Sequence, residues 1–252
     1  MRIAIVGYGR MGHEVEAVAR ERGHEIRLMV DPAIGPGALH ATELTAASLS
    51  GCDVAVEFSL PDAVPGNVRT YVQAGVPAVI GTTGWLDSMG DLESIVGSPD
   101  GAIVYGSNFS VGAHIFFRLA AAAGALVRDL DEYDLLVHEL HHRNKKDSPS
   151  GTALTLAETV LAEVPRKRRV QTSRLDRAPA PDELHVSSSR GGSLPGTHTL
   201  YLDSPADTIE ITHRARTRGG FALRTVGAAE WIVGKRGLFT VDQFITDLLE
   251  KR

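Results

Sequence analysis

The chain has 252 residues, 43 % hydrophobic and 23 % charged, a balance that excludes an intrinsically disordered chain, a collagen-like repeat and a coiled coil. At about 150 residues per domain this length predicts one large domain or two modest ones. With 26 Lys and Arg against 31 Asp and Glu, the formal net charge of −5 leaves no chain-wide basic field to hold nucleic acid or an anionic membrane.

The first residues, Met1 to Gly7, form a strand-like run too short for the apolar region of a secretion signal. Short β-branched runs then alternate with helical patterns. Strand Ile3–Val6, helix Met11–Arg22, strand Ile26–Val30, strand Val54–Phe58, helix Ala63–Ala74, strand Ala78–Ile80 and strand Ile103–Tyr105 follow in order. The single cysteine, Cys52, excludes an intrachain disulfide, fits a reducing, cytoplasmic compartment and reads as an apolar filler. Strand–helix alternation with apolar strands predicts a parallel sheet covered by helices on both faces. The fold class is therefore α/β, a Rossmann-like doubly wound parallel sheet over residues 1–108.

After Asn108 the pattern changes. Gly112–Val127 reads as a long alanine-rich helix; His114 and Arg118 inside this apolar stretch make it a buried helix rather than a membrane span. Strand Tyr133–Leu140, a polar loop, helix Thr152–Glu163 and a basic, proline-punctuated stretch from Pro165 to Pro181 come next. Strands Glu183–Ser189, Thr197–Leu202 and Thr208–Arg214 then follow without helices between them. This predicts a second, α+β domain over residues 109–219 with a mixed or antiparallel sheet. Helices Phe221–Val233 and Val241–Lys251, within residues 220–252, have the period to pack back on the first domain. The stretch Arg216 to Gly220 reads as the crossover.

Gly7-Tyr8-Gly9-Arg10-Met11-Gly12 follows the first strand and opens the first helix, so G-x-G-x-x-G stands in the context a dinucleotide fingerprint requires. Glycines let the backbone approach a pyrophosphate, whose charge meets amide N–H groups and the positive end of the helix. Asp31, at the end of the second strand, is placed to accept hydrogen bonds from ribose hydroxyls. A nicotinamide dinucleotide, NADH or NADPH, is the expected cofactor. Gly81-Thr82-Thr83-Gly84 and Gly106-Ser107-Asn108-Phe109-Ser110 each follow a strand of the parallel half; each is a wall of the nicotinamide site or a plain turn.

The densest chemistry is the loop from Glu139 to Thr152, ELHHRNKKDSPSGT. Imidazole exchanges protons near neutrality, and lysine and arginine hold anions and polarise developing negative charge. Ser150-Gly151-Thr152 opens a helix whose free amides form a carboxylate-binding end. The alternative is a solvated basic loop with a helix cap. His138-Glu139-Leu140-His141-His142 also matches H-E-x-x-H, but that zinc motif needs a helix and these residues read as a strand, so no metal is expected. Arg166-Lys167-Arg168-Arg169, Arg174 and Arg177 lack interleaved aromatics and read as a solvated helix end and loop rather than a nucleic-acid site. Arg190 and the Arg216–Gly220 crossover are each candidates to carry a substrate-facing arginine.

Over essentially its whole length the sequence resembles the dihydrodipicolinate reductase family. The most specific part is Glu139 to Ala153, ELHHRNKKDSPSGTA, supported by Arg10-Met11-Gly12, Glu57-Phe58-Ser59, Gly81-Thr82-Thr83-Gly84, Ser107-Asn108-Phe109-Ser110-Val111-Gly112 and Glu210-Ile211-Thr212-His213. The resemblance implies NAD(P)H-dependent reduction of a cyclic dicarboxylated imine, with loss of water from the hydroxylated substrate, to tetrahydrodipicolinate in lysine and diaminopimelate biosynthesis. It also implies His141 as general acid/base, Lys145 as second proton donor, and His142, Ser150, Gly151 and Thr152 as holders of the substrate carboxylates. Gly7 to Gly12, Asp31, Gly81 to Thr83 and Gly106 to Phe109 would hold the cofactor, and a homotetramer would assemble through the second domain's sheet. Two departures stand out. The glycine turn is one residue shorter than the form associated with many members, and Pro32 replaces an arginine that pairs in some members with the 2′-phosphate of NADPH, although Arg10 remains available. Asp31 without that arginine leans toward NADH. Another two-domain nicotinamide dehydrogenase would share the glycine turn but not HHRNKKDSPSGT, and a redox-sensing regulator would need a DNA-binding segment that the sequence does not display.

Overall fold

The computed structural model describes residues 1–35, 37–88, 90, 95–96, 101–217 and 219–250. In chain order its principal elements begin β1 (Arg2–Val6), α1 (Arg10–Glu21), β2 (Glu25–Val30), β3 (His40–Ala41), β4 (Val54–Glu57), α2 (Val64–Ala74), β5 (Ala78–Ile80) and β6 (Ala102–Tyr105). Then come α3 (Val111–Leu126), β7 (Asp134–His141), α4 (Gly151–Glu163), β8 (Arg169–Gln171), β9 (Glu183–Arg190), β10 (Thr197–Asp203) and β11 (Thr208–Arg214). Last are α5 (Gly219–Ile232), β12 (Gly237–Thr240) and α6 (Val241–Glu250). The chain divides into one unit of residues 1–110 with 219–252 and another of residues 111–218.

In the first unit seven strands pair in the order β12-β6-β5-β4-β1-β2-β3, and all the pairings are parallel. Parallel strands carry helices on both faces, and accordingly all four residues of β4 and all three of β5 are buried. This is the Rossmann-like, doubly wound sheet that the alternating pattern predicts. From β1 the chain winds outward to β2 and β3, then returns to the other side of β1 for β4, β5 and β6. That reversal between β1 and β4 makes the carboxyl ends of these two strands the switch point where such sheets bind ligands.

In the second unit five strands pair in the order β11-β10-β7-β9-β8; β10 runs antiparallel to β7 and β11, whereas β7, β9 and β8 are mutually parallel neighbours. The sheet is thus mixed. Strict alternation along β7 buries Leu135, Val137, Glu139 and His141 on one face, because successive side chains of a strand point to opposite faces. Ala153, Leu156, Ala157 and Val160 of α4 repeat at helical spacing and are fully buried in the same core. Two polar residues on β7 therefore sit where the sheet's period places core residues.

Three strands have no counterpart in the sequence reading. Residues 40–41 form only a two-residue strand; β8 lies inside the basic stretch; and β12 is four half-buried residues starting at Gly237, with φ +111°. None is a β-branched run with turn signals on both sides, so each is made by its neighbour in the sheet rather than by its own propensity. Lys251, the expected end of the last helix, and residue 218 of the crossover lie outside the described residues. No helix among the described residues is long and apolar enough to cross a membrane.

Leu156 is fully buried whereas Leu154, two positions away on α4, is 38 % exposed. Leu156→Ala is expected to lower the unfolding free energy by about 2–5 kcal/mol and Leu154→Ala by less than about 1 kcal/mol. Urea denaturation of the two variants checks this.

Candidate active site

The glycine turn leaves β1 at Gly7, whose φ is +86° and where a Cβ would stand 2.3 Å from the carbonyl oxygen of Phe58. Only glycine fits so close an approach. At Gly12 a Cβ would lie 2.5 Å from the Gly7 carbonyl oxygen, whereas at Gly9 it would meet nothing within 4 Å. Gly9 precedes α1 without any side-chain cap, so the first-turn amides of that helix are left for another acceptor. A cleft of about 360 Å³ opens there, lined by Gly9, Arg10, Met11, Phe58, Ser59, Pro61, Gly81, Thr82 and Thr83. Loops after β1, β4 and β5 thus meet at one cleft, with a helix N-terminus and empty space where a pyrophosphate needs them. The residues fit a dinucleotide.

Asp31 directly follows β2 and accepts hydrogen bonds from the amides of Tyr8 (2.8 Å) and Ala33 (2.9 Å). Its carboxylate fixes the glycine turn while retaining lone pairs for further donors. Tyr8 does not line the cleft: its hydroxyl donates to Glu16 and its ring lies 4.1 Å from that of His13. Burial and the Glu16 carboxylate push its phenol up to about 12. Nor do residues 106–109 line it. A Cβ on Gly106 would stand 2.3 Å from Val241, Phe109 is buried, and the Asn108 side chain accepts the Ser110 amide at 2.8 Å. Phe58, Ser59 and Pro61 are lining residues that the sequence reading left out of the site. Behind them the buried Glu57 accepts from Ser59 (2.5 Å), Asn67 (2.7 Å) and Tyr71 (3.0 Å), which ties down the end of β4.

The polar cluster of the second unit is built on the buried face of β7. Glu139 is fully buried, and its Oε1 accepts from the Ser150 amide (3.0 Å), Ser188 (2.8 Å) and Arg190 (2.8 Å). Its Oε2 lies 2.9 Å from His141 Nδ1 and 3.6 Å from His198 Nε2. The His141 contact is at ion-pair distance but oblique, so both atoms lack an aligned hydrogen bond. Burial works to raise the Glu139 carboxyl's proton affinity, but nearby His198 and the bonds from Ser150, Arg190 and Ser188 outweigh it and hold the group far below the carboxylate range. His141 moves down to about 4: burial is the main cause, and His198, Lys145 and Arg190 add to it against the opposing pull of Glu139.

Ser150 caps α4 by accepting from the Ala153 amide (3.2 Å), and its hydroxyl also lies 3.1 Å from His198 Nε2. Both of its polar groups are therefore engaged. A Cβ on Gly151 would meet nothing within 4 Å, so the first turn of α4 is open above it; Thr152 follows, half-buried. His142 is half-buried and held by its amide to the Leu194 carbonyl (2.8 Å). Lys145 pairs with Asp147 at 2.8 Å, and Arg190 also donates to the Asp147 carbonyl at 2.6 Å. Glu139, Arg190 and His198 join His141, Lys145 and Ser150, and the signal that would have placed Glu139 is the alternation of β7. Residues 138–141 are strand, so the helical spacing of a zinc H-E-x-x-H is not formed. Glu139, His141 and His198 do bring ligand atoms within 4.8 Å of one another, but Arg190 already neutralises the carboxylate and the set reads as a hydrogen-bonding cluster.

Comparison with known proteins covers nearly the whole chain. Residues 1–109 match the family model described as dihydrodipicolinate reductase, N-terminus, and residues 112–245 that described as dihydrodipicolinate reductase, C-terminus. The 4-hydroxy-tetrahydrodipicolinate reductase of Christiangramia forsetii is 39 % identical over 99 % of this chain and 100 % of its own. That of Methanoregula boonei is 34 % identical over 90 % of each. Among solved structures, dipicolinate-bound dihydrodipicolinate reductase from Paenisporosarcina sp. TG-14 shares the fold with a TM-score of 0.77, at 21 % identity, over 95 % of this chain and 97 % of that one.

Acid should loosen the second unit. The unfolded His141 binds a proton near its ordinary 6.5 while the folded one refuses it until about 4, so stability present above about pH 6.5 is lost as pH falls between these values. The depressed Glu139 carboxyl and His213, lowered by burial and by His198, act in the same direction. Melting temperature followed from pH 7 to 4 is expected to fall, and less steeply for His141→Gln.

Proposed function

The chain belongs to the dihydrodipicolinate reductase family, and on that premise we propose that it is an NAD(P)H-dependent 4-hydroxy-tetrahydrodipicolinate reductase. It reduces a cyclic dicarboxylated imine, formed by loss of water from the hydroxylated substrate, to tetrahydrodipicolinate in lysine and diaminopimelate biosynthesis. The observation that carries this reading is the cluster at the end of β7, where the buried His141 stands beside Glu139 at one end of a loop whose other end opens α4.

The bound nicotinamide dinucleotide supplies the hydride. Gly9, Arg10 and Met11 with Gly81, Thr82 and Thr83 hold it in the cleft of the first unit, and Asp31 accepts from its ribose. Gly7, Gly12 and Tyr8 shape the turn, and the nicotinamide end extends beyond the cleft, where Gly106, Ser107, Asn108 and Phe109 contribute to it. Asp31 followed by Pro32 favours NADH over NADPH.

Hydride addition to a ring carbon builds electron density that a proton must quench. His141 is the general acid/base and Lys145 the second donor. In the free protein His141 is neutral at pH 7. A dicarboxylate settling against Lys145 brings negative charge beside the imidazole and raises its proton affinity, so the acid is charged as the substrate binds. His142 and the amides of Gly151 and Thr152 receive the carboxylates, and Ser150 directs those amides through its cap. The enzyme works in the cytoplasm, as a homotetramer assembled through the second unit's sheet; β11 at the edge of that sheet leaves Ile209 47 % exposed.

Oxidation of NADH and of NADPH, followed by absorbance with substrate generated in place by its synthase from pyruvate and aspartate semialdehyde, tests the reaction. Substrate-dependent oxidation, faster with NADH, is expected; no consumption of either cofactor overturns the assignment. His141→Gln and Lys145→Ala are each expected to lower kcat about a hundredfold or more with cofactor binding nearly intact. Turnover within a few-fold of the parent in both variants removes their assigned roles.

A further inference from the structure

We propose that Glu139 is the positioning residue of this site, holding His141 by Nδ1 so that Nε2 is the nitrogen that exchanges the proton. The inference rests on the assignment of His141 above.

Three observations converge on it. First, only one nitrogen of His141 faces the carboxylate: Nδ1 is buried 2.9 Å from Oε2. The opposite nitrogen faces Gly196, where a Cβ would stand 2.8 Å from Nε2. Gly196 has φ +148°, and any larger residue would fill the space in front of that atom. Second, Glu139 is over-determined. Arg190 and Ser188 on β9, the Ser150 amide at the start of α4 and His198 on β10 all face it. It cannot move toward another partner without leaving buried donors unpaired. Third, at 2.9 Å the two atoms need only a rotation of the imidazole, not a closer approach, to align as a hydrogen bond. An ionised carboxylate behind an imidazole selects the tautomer with Nδ1 protonated and stabilises the imidazolium. Arg190, Lys145 and His198 oppose that charge, whereas Glu139 favours it.

The test compares Glu139→Gln and Glu139→Asp with the parent and with His141→Gln. Glu139→Gln is expected to lower kcat at least tenfold, with dissociation of NADH unchanged. The alkaline limb of the kcat profile, where the acid loses its proton, should move toward lower pH, and Glu139→Asp should bring it back toward the parent position. A merely structural role would reduce the melting temperature without moving the limb. Should Glu139→Gln not fold, the nitrogen-15 resonances of the unsubstituted protein decide, with His141 assigned by its loss in His141→Gln: Nδ1 protonated and Nε2 bare at neutral pH supports the proposal. The opposite tautomer overturns it, as does a Glu139→Gln enzyme within threefold of the parent and with an unmoved limb. If only His141→Gln is inactive, Glu139 is not the positioning residue and the functional reading stands; if both variants are active, that reading falls too.

Discussion

A carboxylate without water is among the most costly groups to place in a protein core, with a penalty of several kcal/mol after relaxation. Glu139 is fully buried, and the arrangement of the second unit follows from meeting that cost. Its partners arrive from β9, from β10, from the start of α4 and from β7 itself. One side chain is therefore met by groups from three strands and from the start of α4. The loop between His141 and Ser150 is held at both ends by the same residue, and Arg190 reaches from Glu139 to the Asp147 carbonyl to hold it in the middle. The proton chemistry and anion recognition proposed for this loop would share this frame, so the geometry of each would be tied to the other.

The first unit solves a different problem. Its cleft contains almost no buried charge; it is made by keeping side chains out. Gly7 and Gly12 allow the turn to press against β4 and against itself, and Gly9 leaves the helix end uncovered. Asp31 supplies the restraint that glycines cannot, by gripping the amides of Tyr8 and Ala33. Glu57 does the corresponding work for the loop after β4. Rigid carboxylates behind a bare backbone thus define the cleft.

Much of this was legible in the chain itself. The glycine turn after an apolar strand, Asp31 at the end of the next strand, and HHRNKKDSPSGT between a strand and a helix are local signals. Local chemistry is what sequence displays. A mixed or antiparallel second sheet is legible because three strand patterns run together without helices. What stayed hidden depends on pairing across long separations. His198 reaches Glu139 because β10 lies beside β7 with those two residues opposite each other, and Ser188 because β9 does the same on the other side. Arg190 could be suspected of facing an anion; register sets it opposite His141, and its long side chain reaches diagonally to the glutamate 51 positions earlier. Likewise β12 exists because β6 offers it an edge. Tyr8, inside the fingerprint string, is directed by Glu16 and His13 away from the cleft, a choice made by packing rather than by motif.

The division of the chain, with residues 111–218 set between two stretches that together form the other unit, bears on the order of events during synthesis. Residues 111–218 are contiguous and can close their core once the ribosome has released them. The parallel sheet emerges first but cannot finish: β12 must still arrive beside β6, and α5 must cover α1. Until then an unpaired edge and an uncovered apolar helix face wait in the nascent chain, the kind of surface that chaperones bind. The half made first is the half completed last.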